Sequence, residues 1–134
     1  MKVTEIFKLL VGGIVTVLSA FLGGLDGVIY TLIGFMGIDY ITGVMSAAKS
    51  KRLSSEVGFW GLVKKVCMIA LVGVANLVDV SVVGSGNALR TCVVLYLIGN
   101  EGLSLLENMT RLGVPFPKKL IDMLAQLKNS NEGG

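Results

Sequence analysis

Residues 28–48 read VIYTLIGFMGIDYITGVMSAA, an apolar run with a single charged side chain, Asp39, near its middle. At about 1.5 Å of rise per residue, a helix of this length crosses the ~30 Å hydrocarbon layer of a bilayer. A carboxylate at that depth is costly unless it meets a partner, a cavity or water, so Asp39 marks a functional hypothesis by default. Asp26 and Gly27 form a turn before the run, and the basic cluster Lys49, Lys51, Arg52 follows it. Helical spacing puts Asp39, Gly43 and Ala47 on one face with Thr42 and Ser46 beside them, a stripe of small and polar residues suited to close helix contact. Ile33, Met36, Ile41 and Met45 lie on the opposite side, toward lipid or core.

Three further runs of the same kind flank this one. Leu9 to Leu25 carries no charge, and Phe7 extends it. A cleaved signal peptide is the alternative there, because Lys2 and Lys8 precede the run and small residues close it, but the run is long for a signal core and more spans follow at once. Trp60 to Val83 begins with an interfacial tryptophan and has Lys64 and Lys65 one turn in, within snorkelling reach of the surface. From Lys65 the series Ile69, Val72, Asn76, Asp79 steps by helical turns and draws a stripe polar at both ends. The fourth run, Ala88 to Arg111, has the clearest amphipathic pattern: Arg90, Val94, Leu97, Glu101, Ser104, Asn108 and Arg111 recur at steps of three and four, with Asn100 and Glu107 on the flanks. Its uncharged stretch Thr91 to Asn100 favours a spanning helix over a surface one.

Hydrophobic residues make up 53% of the 134-residue chain and charged residues 16%, with a mean hydropathy of +0.78. That apolar surplus exceeds what one soluble core of this size buries. The expected fold is therefore an all-α integral membrane protein: one domain with four transmembrane helices near 7–25, 28–48, 60–83 and 88–111, or three in the rival count. After the stop formed by Gly113, Pro115 and Pro117, residues 118–128 make a short amphipathic helix that needs the membrane surface or another subunit to fold, and 129–134 read as a disordered tail.

The net charge of +3 does not point to nucleic acid, because the Lys and Arg residues sit at the ends of apolar runs and are not interleaved with aromatics. With no His, no paired cysteine motif and no phosphate-binding glycine loop, neither metal nor cofactor is expected, and no enzyme constellation is present. Cys67 and Cys92 fall in different spans and read as buried apolar filler. The basic residues gather on one side, at the N-terminus, the middle loop and the C-terminus, so both termini are expected in the cytoplasm. Counted from the opposite turns, Asp39 and Glu101 lie level, about 18 to 20 Å deep by helical rise. Lys64 and Lys65 are expected near Glu107, and Arg90 near Asp79 or Asp26. Ser54, Ser55 and Gly58 form a gate, an inter-subunit contact or a helix cap.

Several short motifs occur in one register. They are Asp39-Tyr40-Ile41-Thr42-Gly43; Leu53-Ser54-Ser55-Glu56-Val57-Gly58; Gly61 with Lys64-Lys65; Asp79; Asn100-Glu101-Gly102-x-Ser104 with Glu107-Asn108; and Leu112-Gly113-Val114-Pro115-x-Pro117. Together, over roughly residues 30 to 120, they resemble the toxin-secretion and phage-lysis holin family. The resemblance implies a multi-pass protein of the bacterial inner membrane that associates with itself into a lesion and releases an endolysin or a toxin as cargo. The residues expected to line the pore or the helix contacts are Asp39, Thr42, Gly43, Lys64, Lys65, Asn76, Asp79, Arg90, Asn100, Glu101, Ser104, Glu107 and Asn108. A small ion-coupled transporter, with Asp39 or Glu101 binding protons, is the rival from another class. An accessory or inhibitory partner of a true holin is a third reading.

Overall fold

The computed structural model describes residues 1–132, and all regular elements among them are helices. They are α1 (Val3–Leu22), α2 (Gly27–Lys49), α3 (Ser55–Val78) continued by a π-helical turn (Asp79–Val83), α4 (Ala88–Arg111) and α5 (Lys118–Glu132). Four of these segments are long and apolar enough to cross a membrane, α3 together with its π turn counting as one. The fourth has the bounds that its periodicity predicts. Against expectation, α3 starts five residues ahead of Trp60, because Ser54 caps it: its hydroxyl accepts the Val57 amide at 3.1 Å.

Each chain reversal has a local cause. Gly23 takes a left-handed conformation (φ 83°) and closes α1, with its amide and that of Gly24 bonded back to the carbonyls of Ala20 and Ser19. No other residue fits, since a Cβ there would collide with the side chains of Asn76 and Arg90. Asp26 then caps α2 by accepting the Ile29 amide at 3.0 Å. At the other end Lys49 Nζ donates to the Arg111 carbonyl at 2.9 Å, tying the last turns of α2 and α4 together.

Helix α4 is the centre of the bundle: α2, α3 and α5 all pack on it, whereas α1 packs along α3 and meets α4 through the Arg90 side chain at Leu22. Ile29, Leu32, Met36, Met68, Val72, Val94 and Leu97 form the apolar core toward the end of the bundle that holds the two tight turns. Most of α1 projects free, with Phe7, Leu10, Ile14 and Val17 exposed. Cys67 and Cys92, read as buried filler, lie instead on the outer surface.

The largest correction concerns the C-terminal segment. Helix α5 does not wait for a membrane surface or a neighbour. It folds back along α4 and continues to Glu132, into the stretch read as a tail, while residues 133 and 134 lie outside the described residues. Two glycines on α4 allow it. A Cβ on Gly99 would sit 2.9 Å from the Lys128 amide nitrogen and 3.1 Å from the Leu124 carbonyl oxygen, and one on Gly102 would meet the Leu124 side chain at 3.0 Å. Lys128 Nζ then lies 5.9 Å from the centre of the Tyr96 ring, a cation–π contact that adds to the docking. Gly99→Leu is expected to introduce an overpacking cost of about 1–3 kcal/mol. That is enough to release a helix too short to stand alone. Trypsin should then cut rapidly at Lys119 and Lys128 while the α2–α4 bundle stays protected.

Candidate functional site

The polar stripes foreseen on α2, α3 and α4 turn inward and meet as two clusters. The first joins α2, α3 and α4 midway along the bundle. Lys65 Nζ donates to Asp39 Oδ2 at 2.7 Å and also to Glu101 Oε2, so one ammonium bridges two carboxylates. Glu101 is only 1% exposed and Asp39 8%; without Lys65 both would be buried unpaired charges. Asn108 completes the set: its Nδ2 donates to Asp39 Oδ1 at 2.9 Å, to the Asp39 carbonyl at 3.1 Å and to Thr42 Oγ1 at 3.2 Å. Thr42 in turn donates to the Ile38 carbonyl at 2.7 Å. Gly43 lies beside Asn108, where a Cβ would rest in ordinary contact 3.5 Å from Asn108 Nδ2.

The second cluster closes the end that holds the two tight turns. Arg90, 2% exposed, reaches out of α4 to the α1–α2 link. Its Nε donates to the Leu22 carbonyl, one Nη to Gly24 O at 3.1 Å, and the other to Asp26 Oδ2 at 3.0 Å. Asp79, 1% exposed, does not take the Arg90 side chain. Its carboxylate accepts the backbone amides of Leu89 and Arg90 at 3.1 and 2.8 Å, capping α4 from the neighbouring helix, where Asn87 makes no side-chain cap of its own. A negative group at a helix N-terminus is favoured by the free amides and the helix dipole together. Asn76 finishes the cluster by donating to the Phe21 carbonyl at 3.1 Å.

Not every foreseen residue joins these clusters. Lys65 pairs with Glu101 rather than Glu107, because six residues along a helix rotate a side chain by about 120° net, and Glu107 is left exposed. Lys64 is exposed, while Asn100 and Ser104 are half-buried on α4. Sequence reasoning missed Tyr40, whose hydroxyl donates to the Gly58 carbonyl at 3.4 Å across α2 and α3, and the backbone-capping role of Asp79. Ser46 stands in the stripe expected for helix contact, but its buried hydroxyl without a partner was not foreseen. Only the small residues of α2 hinted at these contacts.

Chemically, the first cluster pairs buried charges and the second ties backbone carbonyls and a helix N-terminus. Among the described residues no three His, Cys, Asp or Glu side chains converge as a metal site. The sequence model of a bacteriophage holin family matches residues 16–129, most of the chain. The chain belongs to the bacteriophage holin family. A probable holin of Bacillus phage phi105 is 38% identical over 95 residues, 71% of this chain and 70% of that protein. An uncharacterized protein of Clostridium perfringens (strain 13) is 39% identical over 116 residues, covering 87% and 86% of the two chains. One from Listeria innocua is 32% identical over 119 residues, covering 89% and 84%. No solved structure matches. The family assignment and the four apolar helices make this holin-family chain a membrane protein.

Proposed function

We propose that copies of this chain assemble in the bacterial cytoplasmic membrane into a pore or lesion through which an endolysin or a large toxin leaves, so that a phage host lyses. The observation that carries this reading is the Lys65 ammonium held between Asp39 and Glu101 inside helices long enough to span. A lone subunit encloses these charges and tolerates lipid. Several subunits together can turn the outer flank of α4 toward shared water, and the driving term is the cost of leaving an exposed charge such as Glu107 in hydrocarbon, about 2.5–3.5 kcal/mol at the membrane centre by insertion measurements.

Two surfaces support association of the chain with itself. The apolar length of α1 is uncovered, so lipid or a second copy must cover it. On the other flank, α5 exposes Asp122 and Gln126 beside α4, where Glu107 is exposed and Ser104 half-buried. Hydrocarbon solvates these groups poorly, so that flank is the one turned to an aqueous lumen. The cargo is released rather than bound. The end carrying Lys49, Lys51, Arg52, Arg111 and Lys118 faces the cytoplasm with the N-terminus, while α5 starts at that end and folds back so that Lys128 lies beside Gly99 and Tyr96, well along α4. Inducing the chain alone in bacteria should collapse the membrane potential abruptly after a delay, with lysis following when an endolysin is co-expressed. Growth that continues with potential intact, or graded proton-dependent uptake of small solutes, would overturn the reading.

A further inference from the structure

Between α2, α3 and the end of α4 runs a cleft that borders the first charged cluster at Asp39 and Lys65 and extends away from it. One part, about 270 Å³, is lined by Gly43, Ser46, Ala47, Arg52, Val57 and Arg111. It shares Gly43 and Val57 with a second part of about 220 Å³, walled by Tyr40, Val44, Leu53 and Gly61 and bordered by Lys64 and Lys65. The first part is cationic, and the second is apolar with basic side chains at its edge. Asp39, the acid in the lining, is already held by Lys65 and Asn108.

Ser46 decides what the first part is built for. It is 2% exposed, and its Oγ is a buried side-chain polar atom with no partner. Thr16, Thr31, Thr42 and Thr110 all turn their hydroxyls onto the carbonyl one helical turn earlier. A buried hydroxyl left alone costs free energy, and this one lines a cleft between two arginines, where an anionic acceptor would complete it. The first turn of α3 forms the facing wall at Val57, and the positive end of its dipole adds to the attraction. The site lies where α2 and α4 end and α3 begins, which is headgroup level if these helices span the membrane.

We infer that this cleft binds an anionic phospholipid of the cytoplasmic leaflet. Its phosphodiester sits on Arg52, Arg111 and Ser46 Oγ, and one acyl chain lies along Val44, Leu53 and Val57 toward Gly61. The inference rests on the spanning arrangement proposed above, but its test does not depend on lysis. The full chain, purified in neutral detergent, is titrated with phosphatidylglycerol, with phosphatidylcholine and with inorganic phosphate, and bound lipid is counted by native mass spectrometry. Phosphatidylglycerol should be retained in preference to phosphatidylcholine. Each of Arg52→Gln and Arg111→Gln should weaken it about fivefold, since about 1 kcal/mol per basic side chain at an anionic surface converts at about 1.4 kcal/mol per tenfold. Ser46→Ala removes no bond within the fold, so it leaves the bundle folded; it should weaken phosphatidylglycerol about tenfold, as loss of a hydrogen bond to a charged group does. Equal retention of the two lipids, full binding by Ser46→Ala, or occupancy by inorganic phosphate as readily as by lipid would each overturn the inference.

Discussion

Lys65→Met is expected to destabilise the bundle by about 3–5 kcal/mol, the cost of removing one partner from a buried charge set. The reason lies in the count: one ammonium serves two carboxylates, and Glu101 is 1% exposed with no other cation within bonding distance. Methionine matches the length of the lysine stem, so the loss reports charge rather than volume. Thermal unfolding in detergent reads it directly. Adding both Asp39→Asn and Glu101→Gln to Lys65→Met should recover most of the loss, because an uncharged set needs no counter-ion. A Lys65→Met protein that unfolds at the parent temperature would show that these contacts carry no energy.

The second large effect belongs to Arg90. Arg90→Met strands the carbonyls of Leu22 and Gly24, at about 1–3 kcal/mol for each buried acceptor left unpaired. Arg90→Lys should not rescue it, because one ammonium cannot reproduce the guanidinium fork that meets two carbonyls and a carboxylate at once. Since Arg90 ties α1 to α4 and α1 otherwise packs on α3, the expected consequence is local: α1 swings free while α2–α4 persist, seen as rapid hydrogen exchange in residues 3–22. The same contact sets a pH dependence. Its hydrogen bonds from Arg90, aided by the Ile29 amide, hold the Asp26 carboxyl below its usual range. A carboxyl lowered on folding stabilises the fold above its unfolded value, about 3.9, and that contribution fades as pH falls through the lower folded value. Acidification should therefore loosen α1 more in the parent chain than in Arg90→Met, which keeps only the Ile29 amide on Asp26.

Much of this arrangement was legible in the residues. The steps of three and four from Lys65 to Asp79 and from Arg90 to Asn108 mark the faces that turn inward, and Asp39 and Glu101, counted as level, share one ammonium. Partner choice was harder to read. Depth alone placed Lys65 near Glu107, while rotation about α4 puts Glu101 on the inner face and Glu107 outside. The docking of α5 was hidden for a different reason. Its own pattern, apolar on one side and charged on the other, is that of a surface helix, and the signal for its seat lies elsewhere, in Gly99 and Gly102 of α4. Ser46 looked like one more small residue in a contact stripe, and only the geometry shows its hydroxyl unpartnered.

The outer flank of α4, with Ser104 and Glu107, is covered by lipid in one subunit and meets water in an assembly. Labelling Ser104→Cys in a Cys67→Ser, Cys92→Ser background with a membrane-impermeant thiol reagent tests this most directly, with Gly86→Cys at the tight turn as the accessible control. Ser104→Cys should stay protected while the membrane potential holds and label nearly as fast as the control once it collapses. Labelling before the collapse, or protection that outlasts it, would contradict this exposure on assembly.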